Sequence, residues 1–251
     1  MQILKLNSVG NDVRVWQQFL VQEGYSITVD GNFGPQTDSA TKDFQTKNGL
    51  VADGIVGPIS WNFIFSLHHP AQNMIHSNTE VLQWIKQNLK PVIVNAVEDI
   101  FVEDWLAAIA CRETGGLIVR YANRGLSLSE MLPFIQGDFT SGHYHGFSFW
   151  QIDIRSFPDF INSGDWKNPQ KSAIMSVTVL QSKKRSLLFL GAEQFIQQNE
   201  TLFERAITAS YNCGEGDVIK AFKDNKDVDL YTANQNYSSQ VFLFRETYKT
   251  L

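Results

Sequence analysis

A short internal repeat near the amino terminus most constrains how this chain can fold. The sequence DGNFGP at residues 30–35 is matched by DGIVGP at residues 53–58. Each Asp-Gly pair is typical of a turn, and each Gly-Pro pair is typical of a loop that leads into a helix. Apolar residues at helical spacing precede the turns at residues 12–23 and 37–48, and a third apolar element begins at Trp61. The repeat therefore predicts a small three-helix domain closed by two similar loops.

The doubled loop resembles the signature of the peptidoglycan-binding domain 1 family, which is a cell wall attachment module. The resemblance covers nearly all of residues 1–66 and implies that this segment binds peptidoglycan in a shallow groove. Tyr25, Asp30 and Phe33, around the first loop, are the candidate wall contacts. Taken by themselves, the Asp and Gly residues of both loops favour a structural role in holding the turns.

A second domain is predicted at residues 79–251, after a linker at 67–78 where the helical pattern breaks. Thr79 is the predicted helix cap, and Pro91 marks a boundary or a kink. Further helices are predicted at residues 92–101, 105–113, 171–190, 191–198, 202–210, 216–223 and 238–248. The stretch 121–157 has no helical period, and long irregular segments inside compact domains are usually functional. We therefore expect a mainly α chain with a short β segment at a cleft.

One carboxylate stands out in this second domain because its setting is apolar. The apolar helix that starts at Trp105 is expected to end just after its only acid, Glu113, since Gly115 and Gly116 follow. Desolvation and the partial negative charge of a helix carboxyl end would both raise the pKa of such a group. A carboxylic acid that stays protonated near neutrality can act as a general acid. The alternative is an ordinary surface glutamate paired to Arg112 or Arg120.

Four segments, in this order along the chain, resemble the signature segments of goose-type lysozymes. They are RETGG at 112–116, GFSFWQIDIRSF at 146–157, ASYNCGEG at 209–216 and NYSSQV at 236–241. These lysozymes belong to glycoside hydrolase family 23, which also contains lytic transglycosylases. The resemblance implies a helical lysozyme-like domain whose cleft binds sugar. It also implies cleavage of the β-1,4 bond between N-acetylmuramic acid and N-acetylglucosamine.

The same resemblance assigns roles to individual residues. It makes Glu113 the general acid at the glycosidic oxygen and Asp153 a second carboxylate that positions or activates water. Five further residues would line the cleft, and for each of them packing or loop hydrogen bonding is the alternative: Tyr211, Asn212, Tyr237, Gln151 and Phe147. The two tyrosines have an apolar body and a hydroxyl group, which suits them to support Glu113.

The chain departs from the family pattern at two positions. Goose-type lysozymes often carry another aspartate where this sequence has Gly142, and Ser148 replaces a glycine. Three side chains close to Gly142 in the sequence are candidate substitutes for the missing aspartate: Asp138, His143 and His145. The simpler interpretation is that each is a solvated loop side chain. The group that would activate water is therefore open.

This open point separates two mechanisms. An inverting hydrolase needs a base roughly 6.5–9.5 Å from the acid, with room for a water molecule. A lytic transglycosylase needs one acid/base, because the 6-hydroxyl of the muramic acid attacks internally and leaves a 1,6-anhydro end. Asp153 favours hydrolysis, whereas Gly142 favours transglycosylation. We expect hydrolysis, with transglycosylation as the alternative. A non-catalytic wall-binding component of a phage tail or secretion machine is the third interpretation.

Charge and hydropathy exclude other partners. The net charge is −5, and residues 1–70 carry 4 basic and 6 acidic side chains, so neither half attracts nucleic acid. No run of 18 apolar residues is present, and we expect no membrane insertion. We expect a monomer with peptidoglycan as its partner, no cofactor and no metal.

The first residues do not resemble a signal peptide, because their apolar stretch is short. We therefore expect synthesis in the cytoplasm and action on the wall after lysis or by a non-Sec route, which a phage endolysin fits. Cys111 and Cys213 are too few for a disulfide framework. Two buried free thiols are expected, with a disulfide between them as the alternative.

Overall fold

A computed structural model describes the chain in five ranges, which are residues 3–68, 74–97, 101–140, 143–192 and 199–251. The chain divides into two compact units. The first unit consists of residues 1–74 together with 120–127, and the second consists of 75–119 and 128–251. Residues 120–127, which the sequence places in the second domain, thus cluster with the first unit.

The first unit contains the three helices that the repeat predicts. They are α1 (Asn11–Gln22), α2 (Pro35–Lys47) and α3 (Pro58–His68), and α2 starts with a proline, whose fixed φ suits a first turn. Trp16 and Trp61 meet in the core with ring centroids 5.4 Å apart, and both side chains are fully buried. Large aromatic side chains of this kind supply most of the apolar area that a small domain can bury.

Two glutamines hold the two repeat loops in the same way. Nε2 of Gln17 donates to Oδ1 of Asp30 at 2.9 Å, and Nε2 of Gln45 donates to Oδ1 of Asp53 at 3.1 Å. In each loop the glycine that follows the aspartate donates its backbone N–H to the glutamine Oε1, at 2.8 and 2.9 Å respectively. Both glycines have positive φ, a conformation that glycine adopts without strain. The loops are therefore equivalent in hydrogen bonding as well as in sequence.

The rest of the described chain is mainly helical, as expected. Its α-helices are α4 (Asn78–Asn88), α5 (Lys90–Val94), α6 (Glu103–Ala122), α7 (Leu128–Met131), α8 (Pro158–Asn162), α9 (Pro169–Phe189), α10 (Glu200–Cys213), α11 (Glu215–Lys223) and α12 (Tyr237–Thr250). Short 3-10 helices lie at Leu132–Phe134, Asp165–Lys167 and Ala233–Gln235. Helix α10 packs against α9, α11 and α12, so it lies at the centre of the second unit.

A small antiparallel sheet occupies the stretch that lacks helical period. Its strands are β1 (Gln136–Thr140), β2 (His143–Phe147) and β3 (Ile152–Asp153), in the order β1-β2-β3. Gly146 of β2 pairs with Asp153 of β3, so the β2–β3 connection carries the Ser-Phe-Trp-Gln segment. The expectation of a short β segment is confirmed.

The predicted end of the helix at Gly115 and Gly116 is wrong. Helix α6 continues to Ala122, and neither glycine has positive φ. Glycine costs about 1 kcal/mol inside a helix, but burial of downstream residues such as Ile118 outweighs this preference. Glu113 therefore lies in the middle of a helix rather than in its last turn, and the helix dipole does not raise its pKa.

Other element boundaries also differ from the prediction. The cap of α4 is Ser77 rather than Thr79, because Ser77 and Glu80 form a reciprocal capping box. The predicted helix at 92–101 stops at Val94, and residues 98–100 lie outside the described residues. Most of the predicted helix at 191–198, part of the linker and Gly142 also lie outside them.

Candidate active site

Glu113 and Tyr237 form the centre of the site. Tyr237 is the first residue of α12, and its hydroxyl donates a hydrogen bond to Oε1 of Glu113 on α6. The Tyr237 side chain is almost completely buried, so its hydroxyl needs a partner. The structure thus brings Tyr237 and Glu113 together, and the catalytic role of the pair stays a prediction.

The carboxyl of Glu113 is in an environment that disfavours its charge. Burial raises its pKa to about 6, while the Tyr237 hydrogen bond and the positive charge of Arg112 act in the opposite direction. The residue as a whole is partly exposed, but its carboxyl is surrounded closely enough that desolvation is the largest effect. A carboxyl group with this pKa is protonated in a large fraction of molecules near pH 6, as a general acid requires.

Tyr211, on α10, supports the site by a hydrogen bond to a backbone carbonyl group and not by a hydrogen bond to Glu113. Its hydroxyl donates to the carbonyl oxygen of Trp150 at 2.7 Å. Burial and the negative charge of Glu113 hold the pKa of the Tyr211 hydroxyl well above its ordinary value, so it stays protonated. Tyr211 therefore fixes the β2–β3 connection against α10.

Two more hydrogen bonds attach the same connection to α6. Nε1 of Trp150 donates to the carbonyl oxygen of Leu106 at 3.0 Å, and the Thr114 hydroxyl donates to the carbonyl oxygen of Phe149 at 3.0 Å. Trp150 and Phe149 are both fully buried. The sequence carries no signal for this anchoring role of Trp150, because its partner is a backbone carbonyl.

The β2–β3 connection holds two residues in the left-handed region. Ser148 has φ 67° and Gln151 has φ 49°, and Ser148 is fully buried. Non-glycine residues in this region cost on the order of 1–2 kcal/mol. The position of Ser148 therefore explains why a glycine is suited to this place in the motif.

Gln151 lies across the β1–β2 hairpin. Its Nε2 donates to the carbonyl oxygen of Ser148 at 2.9 Å, and its carboxamide packs directly over Gly137 and Gly146. A Cβ atom at either glycine would collide with Oε1 of Gln151. The two glycines thus make room for a side chain that also lines a pocket.

Asp153 is held by its neighbour Arg155. Its Oδ1 accepts from the backbone N–H and from Nε of Arg155, at 2.7 and 3.1 Å, and its Oδ2 accepts from Nε and Nη2, at 3.0 and 2.5 Å. Burial acts to raise the pKa of Asp153, but the hydrogen bonds and charge of Arg155 together lower it below its ordinary value. Asp153 is therefore ionised, and both of its oxygens are engaged.

A pocket of about 420 Å³ brings four of the predicted site residues together. These are Gln151, Asp153, Tyr211 and Asn212. The side chain of Asn212 also has a structural contact, because its Oδ1 accepts from the backbone N–H of Ala233 at 2.8 Å. The wall of the pocket is mostly polar, with three serines, two carboxamides, a lysine and a carboxylate, which suits a ligand rich in hydroxyl groups.

Three predicted residues do not line this pocket: Glu113, Tyr237 and Phe147. Tyr211 lines the pocket and also interacts electrostatically with Glu113 and Tyr237. The negative charge of Glu113 raises the pKa of the Tyr211 hydroxyl. Phe147 packs edge-on against Trp166, with ring centroids 5.1 Å apart. This contact supports the packing alternative for Phe147.

The candidate wall contacts of the first unit have different surroundings. Phe33 is 1% exposed and lies in the core, so its side chain does not reach the surface, because the loop turns it inward. Asp30 is exposed, but its Oδ1 accepts from Gln17 and from the backbone of Asn32. The hydroxyl of Tyr25 donates to Asp43 at 2.9 Å. Asp30 and Phe33 thus have structural roles, whereas Tyr25 stays at the surface.

Both cysteines are free thiols, as predicted. Burial raises the pKa of Cys111 to about 12 and that of Cys213 to about 11, so neither is a thiolate at neutral pH. Within the described ranges, no group of three or more His, Cys, Asp or Glu side chains is arranged to hold a metal ion. In the same ranges, no helix has the length and apolar character needed to cross a bilayer.

Comparisons with curated proteins find matches over short stretches of the chain. A zinc D-Ala-D-Ala carboxypeptidase of Streptomyces albus G is 48% identical over 44 residues, which are 18% of this chain and 17% of that protein. The N-acetylmuramoyl-L-alanine amidase CwlM of Mycobacterium tuberculosis is 42% identical over 59 residues, which are 23% of this chain and 14% of that protein. An uncharacterized protein of Kitasatospora aureofaciens is 61% identical over 33 residues, which are 13% and 28% of the two chains.

The chain therefore spans less than a third of the length of these relatives. Among solved structures, the crystal structure of the Burkholderia AP3 phage endolysin aligns with 100% of both chains at 17% identity, with a TM-score of 0.25, which is too low to indicate a shared fold. The family model described as "Putative peptidoglycan binding domain" matches residues 9–64. Residues 9–64 are accordingly a domain of the peptidoglycan-binding domain 1 family, which confirms the resemblance of the first unit.

Proposed function

We propose that this chain is a modular muramidase. The amino-terminal domain holds peptidoglycan, and Glu113 donates a proton to the glycosidic oxygen between N-acetylmuramic acid and N-acetylglucosamine. The observation that carries the proposal is the carboxyl of Glu113, whose pKa is raised to about 6 and whose Oε1 accepts a hydrogen bond from Tyr237. The four sequence segments that resemble goose-type lysozymes support the same assignment.

The hydrogen bond of Tyr237 defines how the acid works. Because the phenol donates to Oε1, the proton of the neutral carboxyl group resides on Oε2, which gives it to the leaving oxygen. The bond between the anomeric carbon and that oxygen then breaks, and the anomeric carbon becomes electron-poor. The Glu113 carboxylate that forms is stabilised by the same phenol and by the nearby charge of Arg112.

In the hydrolytic reaction, water attacks the anomeric carbon and loses a proton to a base. Asp153 is the candidate for this base, because it is ionised and lines the pocket beside Tyr211. A water molecule would then deliver a hydroxyl group, and the product would carry a reducing N-acetylmuramic acid end.

A lytic transglycosylase is the second candidate, and one observation favours it. Both oxygens of Asp153 already accept hydrogen bonds from Arg155, which leaves little capacity to activate water. In this reaction the Glu113 carboxylate takes the proton of the muramic acid 6-hydroxyl, whose oxygen bonds to the anomeric carbon. The product would then carry a 1,6-anhydro end and no water would be consumed.

The domain order and charge suit an enzyme that acts on the wall after cell lysis, as a phage endolysin does. A tethered wall-binding domain raises the local concentration of substrate by mass action. Such tethering benefits a chain with a net charge of −5, because electrostatic attraction to an anionic wall is absent. A non-catalytic wall-binding protein would bind the same polymer without releasing sugar.

Digestion of purified peptidoglycan followed by mass spectrometry of the products tests these alternatives. We expect soluble muropeptides with reducing ends; 1,6-anhydro ends would identify a transglycosylase. The Glu113→Gln variant should bind the wall and release nothing, while the matched control Glu246→Gln, an exposed residue of α12, should retain full activity. Binding without release by the unmodified chain would overturn the enzymatic proposal.

A further inference from the structure

Arg112 is a positively charged residue whose charge has no carboxylate partner in the described structure. It precedes Glu113 on α6, and its guanidinium lies over the ring of Tyr237, 5.2 Å from the ring centroid. Among the described residues, no hydrogen bond or ion pair engages this guanidinium, and its buried Nε has no acceptor. The aromatic face of Tyr237 is thus the contact that holds the cation.

Two arginines of the described chain that are buried as whole side chains, unlike Arg112, have carboxylate partners. Arg124 pairs with Asp12 at 2.6 Å, and Arg245 pairs with Asp104 at 2.8 Å. Each of those cations is neutralised by a carboxylate, which is the usual arrangement for buried charge. The charge of Arg112 is left to act on the ionisable groups around it.

The groups that face Glu113 come from three helices. Arg112 lies on α6 itself, Tyr237 on α12 and Tyr211 on α10. The Tyr211 hydroxyl donates to the backbone of Trp150 and is therefore not a donor to Glu113. Tyr237 supplies the hydrogen bond to the acid, and Arg112 supplies the positive charge.

We propose that Arg112 is a positioning residue that acts on Glu113 through Tyr237. Its guanidinium lies over the phenol ring, keeps the hydroxyl directed at Oε1, and stabilises the carboxylate that forms after proton transfer. A cation over a phenol ring also draws electron density from it, which makes the hydroxyl a stronger donor. This inference deepens the proposed function, and it rests on Glu113 being the acid.

The test is a titration of the Glu113 carboxyl by ¹³C NMR, with Glu113→Gln used to assign its signal. Arg112→Met removes the charge and keeps an extended side chain, so the pKa of Glu113 should shift upward from about 6. Arg112→Lys keeps the charge and should shift it less. Arg185→Met, at an exposed position of α9, is the matched loss of one positive charge and should leave the titration unchanged.

Kinetics on peptidoglycan fragments give a second measurement. For Arg112→Met we expect roughly a tenfold loss of kcat with little change in KM, and an alkaline limb of the pH profile that moves to higher pH. In a Tyr237→Phe background the loss should be smaller, because the group through which Arg112 acts has been removed. If Arg112 has a purely structural role, Arg112→Met should lower the thermal stability and leave the alkaline limb of the pH profile in place.

The role of Arg112 and the proposed muramidase function would be contradicted by different results. A folded Arg112→Met protein whose Glu113 titrates as in the unmodified chain would overturn the role of Arg112, whatever the activity. A shifted titration in a chain that releases no sugar would support the electrostatic role of Arg112 and overturn the muramidase proposal. If Arg112→Met does not fold, Arg112→Gln, which also removes the charge, carries the test, and an unshifted titration with unchanged kcat would overturn the inference.

Discussion

The hydroxyl of Tyr237 donates to the carboxyl of Glu113 across two helices, from a position 124 residues further along the chain. This contact stabilises the charged form of the acid, and burial stabilises the neutral form. The pKa of about 6 is the balance of the two effects together with the charge of Arg112.

Tyr237→Phe removes the hydroxyl and keeps the ring. Because the lost hydrogen bond favoured the carboxylate, we expect the pKa of Glu113 to rise above 6 and the alkaline limb of activity to move upward. Hydrogen bonds to charged groups are worth roughly 1.5–3 kcal/mol, so kcat should fall about tenfold or more. A pH profile between 4 and 8 checks this expectation, and Tyr231→Phe, at an exposed tyrosine, is the matched control. An unchanged limb would contradict it.

Glu113→Gln should stabilise the protein at neutral pH. The pKa of Glu113 is about 6 in the folded protein and has the ordinary value of 4.5 in the unfolded chain. The folded protein therefore binds this proton more tightly than the unfolded chain does. Protonation of Glu113 therefore contributes at most about 2 kcal/mol to the free energy of unfolding. This contribution is present in full below pH 4.5 and is lost as the pH rises through 6. Glutamine does not titrate, so the difference in free energy of unfolding between variant and parent should change by that amount between pH 4 and pH 7.5. Urea unfolding at both pH values measures it, and a difference that is independent of pH would contradict the burial of this carboxyl.

Arg155→Gln tests whether Asp153 is a base. Arg155 holds the pKa of Asp153 low, so its removal should raise that pKa. If Asp153 activates water, activity depends on its ionised form, and the acidic limb of the pH profile should move to higher pH. We expect this shift, measured between pH 3 and 6. An acidic limb that stays in place, together with 1,6-anhydro products, would favour the transglycosylase.

Gly146→Ala should disturb the hairpin and the pocket together. The added methyl would occupy the space of the Gln151 carboxamide, and overpacking of this kind costs about 1–3 kcal/mol. Removing the obstructing side chain in Gly146→Ala/Gln151→Ala should restore most of that loss, which thermal unfolding measures. Gly216→Ala, where a Cβ meets open space, is the matched control. A double variant as unstable as the single one would show that the cost has another origin.

The sequence predicted the parts of this molecule that depend on local pattern. The three helices and two loops of the first unit follow from the repeat, and Glu113 follows from its position in an apolar run. Effects of tertiary packing were not predictable in this way. Burial of Ile118 extends α6 through two glycines, and the first loop turns Phe33 into the core.

The contacts of the candidate site likewise depend on tertiary packing that the sequence pattern does not show. The partners of Tyr211 and Trp150 are backbone carbonyls, which carry no sequence signal. Arg155 lies two residues from Asp153 and was visible in the sequence, but the loop that folds one onto the other was not. The sequence therefore indicated four residues that line one pocket, although not which atoms they engage.

The matched glutamines of the first unit have a consequence for chain length. Gln17 reaches its aspartate 13 residues ahead, whereas Gln45 reaches its aspartate 8 residues ahead, a difference of 13 − 8 = 5 residues. The same hydrogen bonds form in both cases. Gln17 lies five residues before the end of α1 and Gln45 lies two residues before the end of α2, so three of the extra residues are helical and the connection itself is longer by two. Because the loop hydrogen bonds form over connections of unequal length, both loops should keep their geometry when a residue or two is inserted or removed after α1.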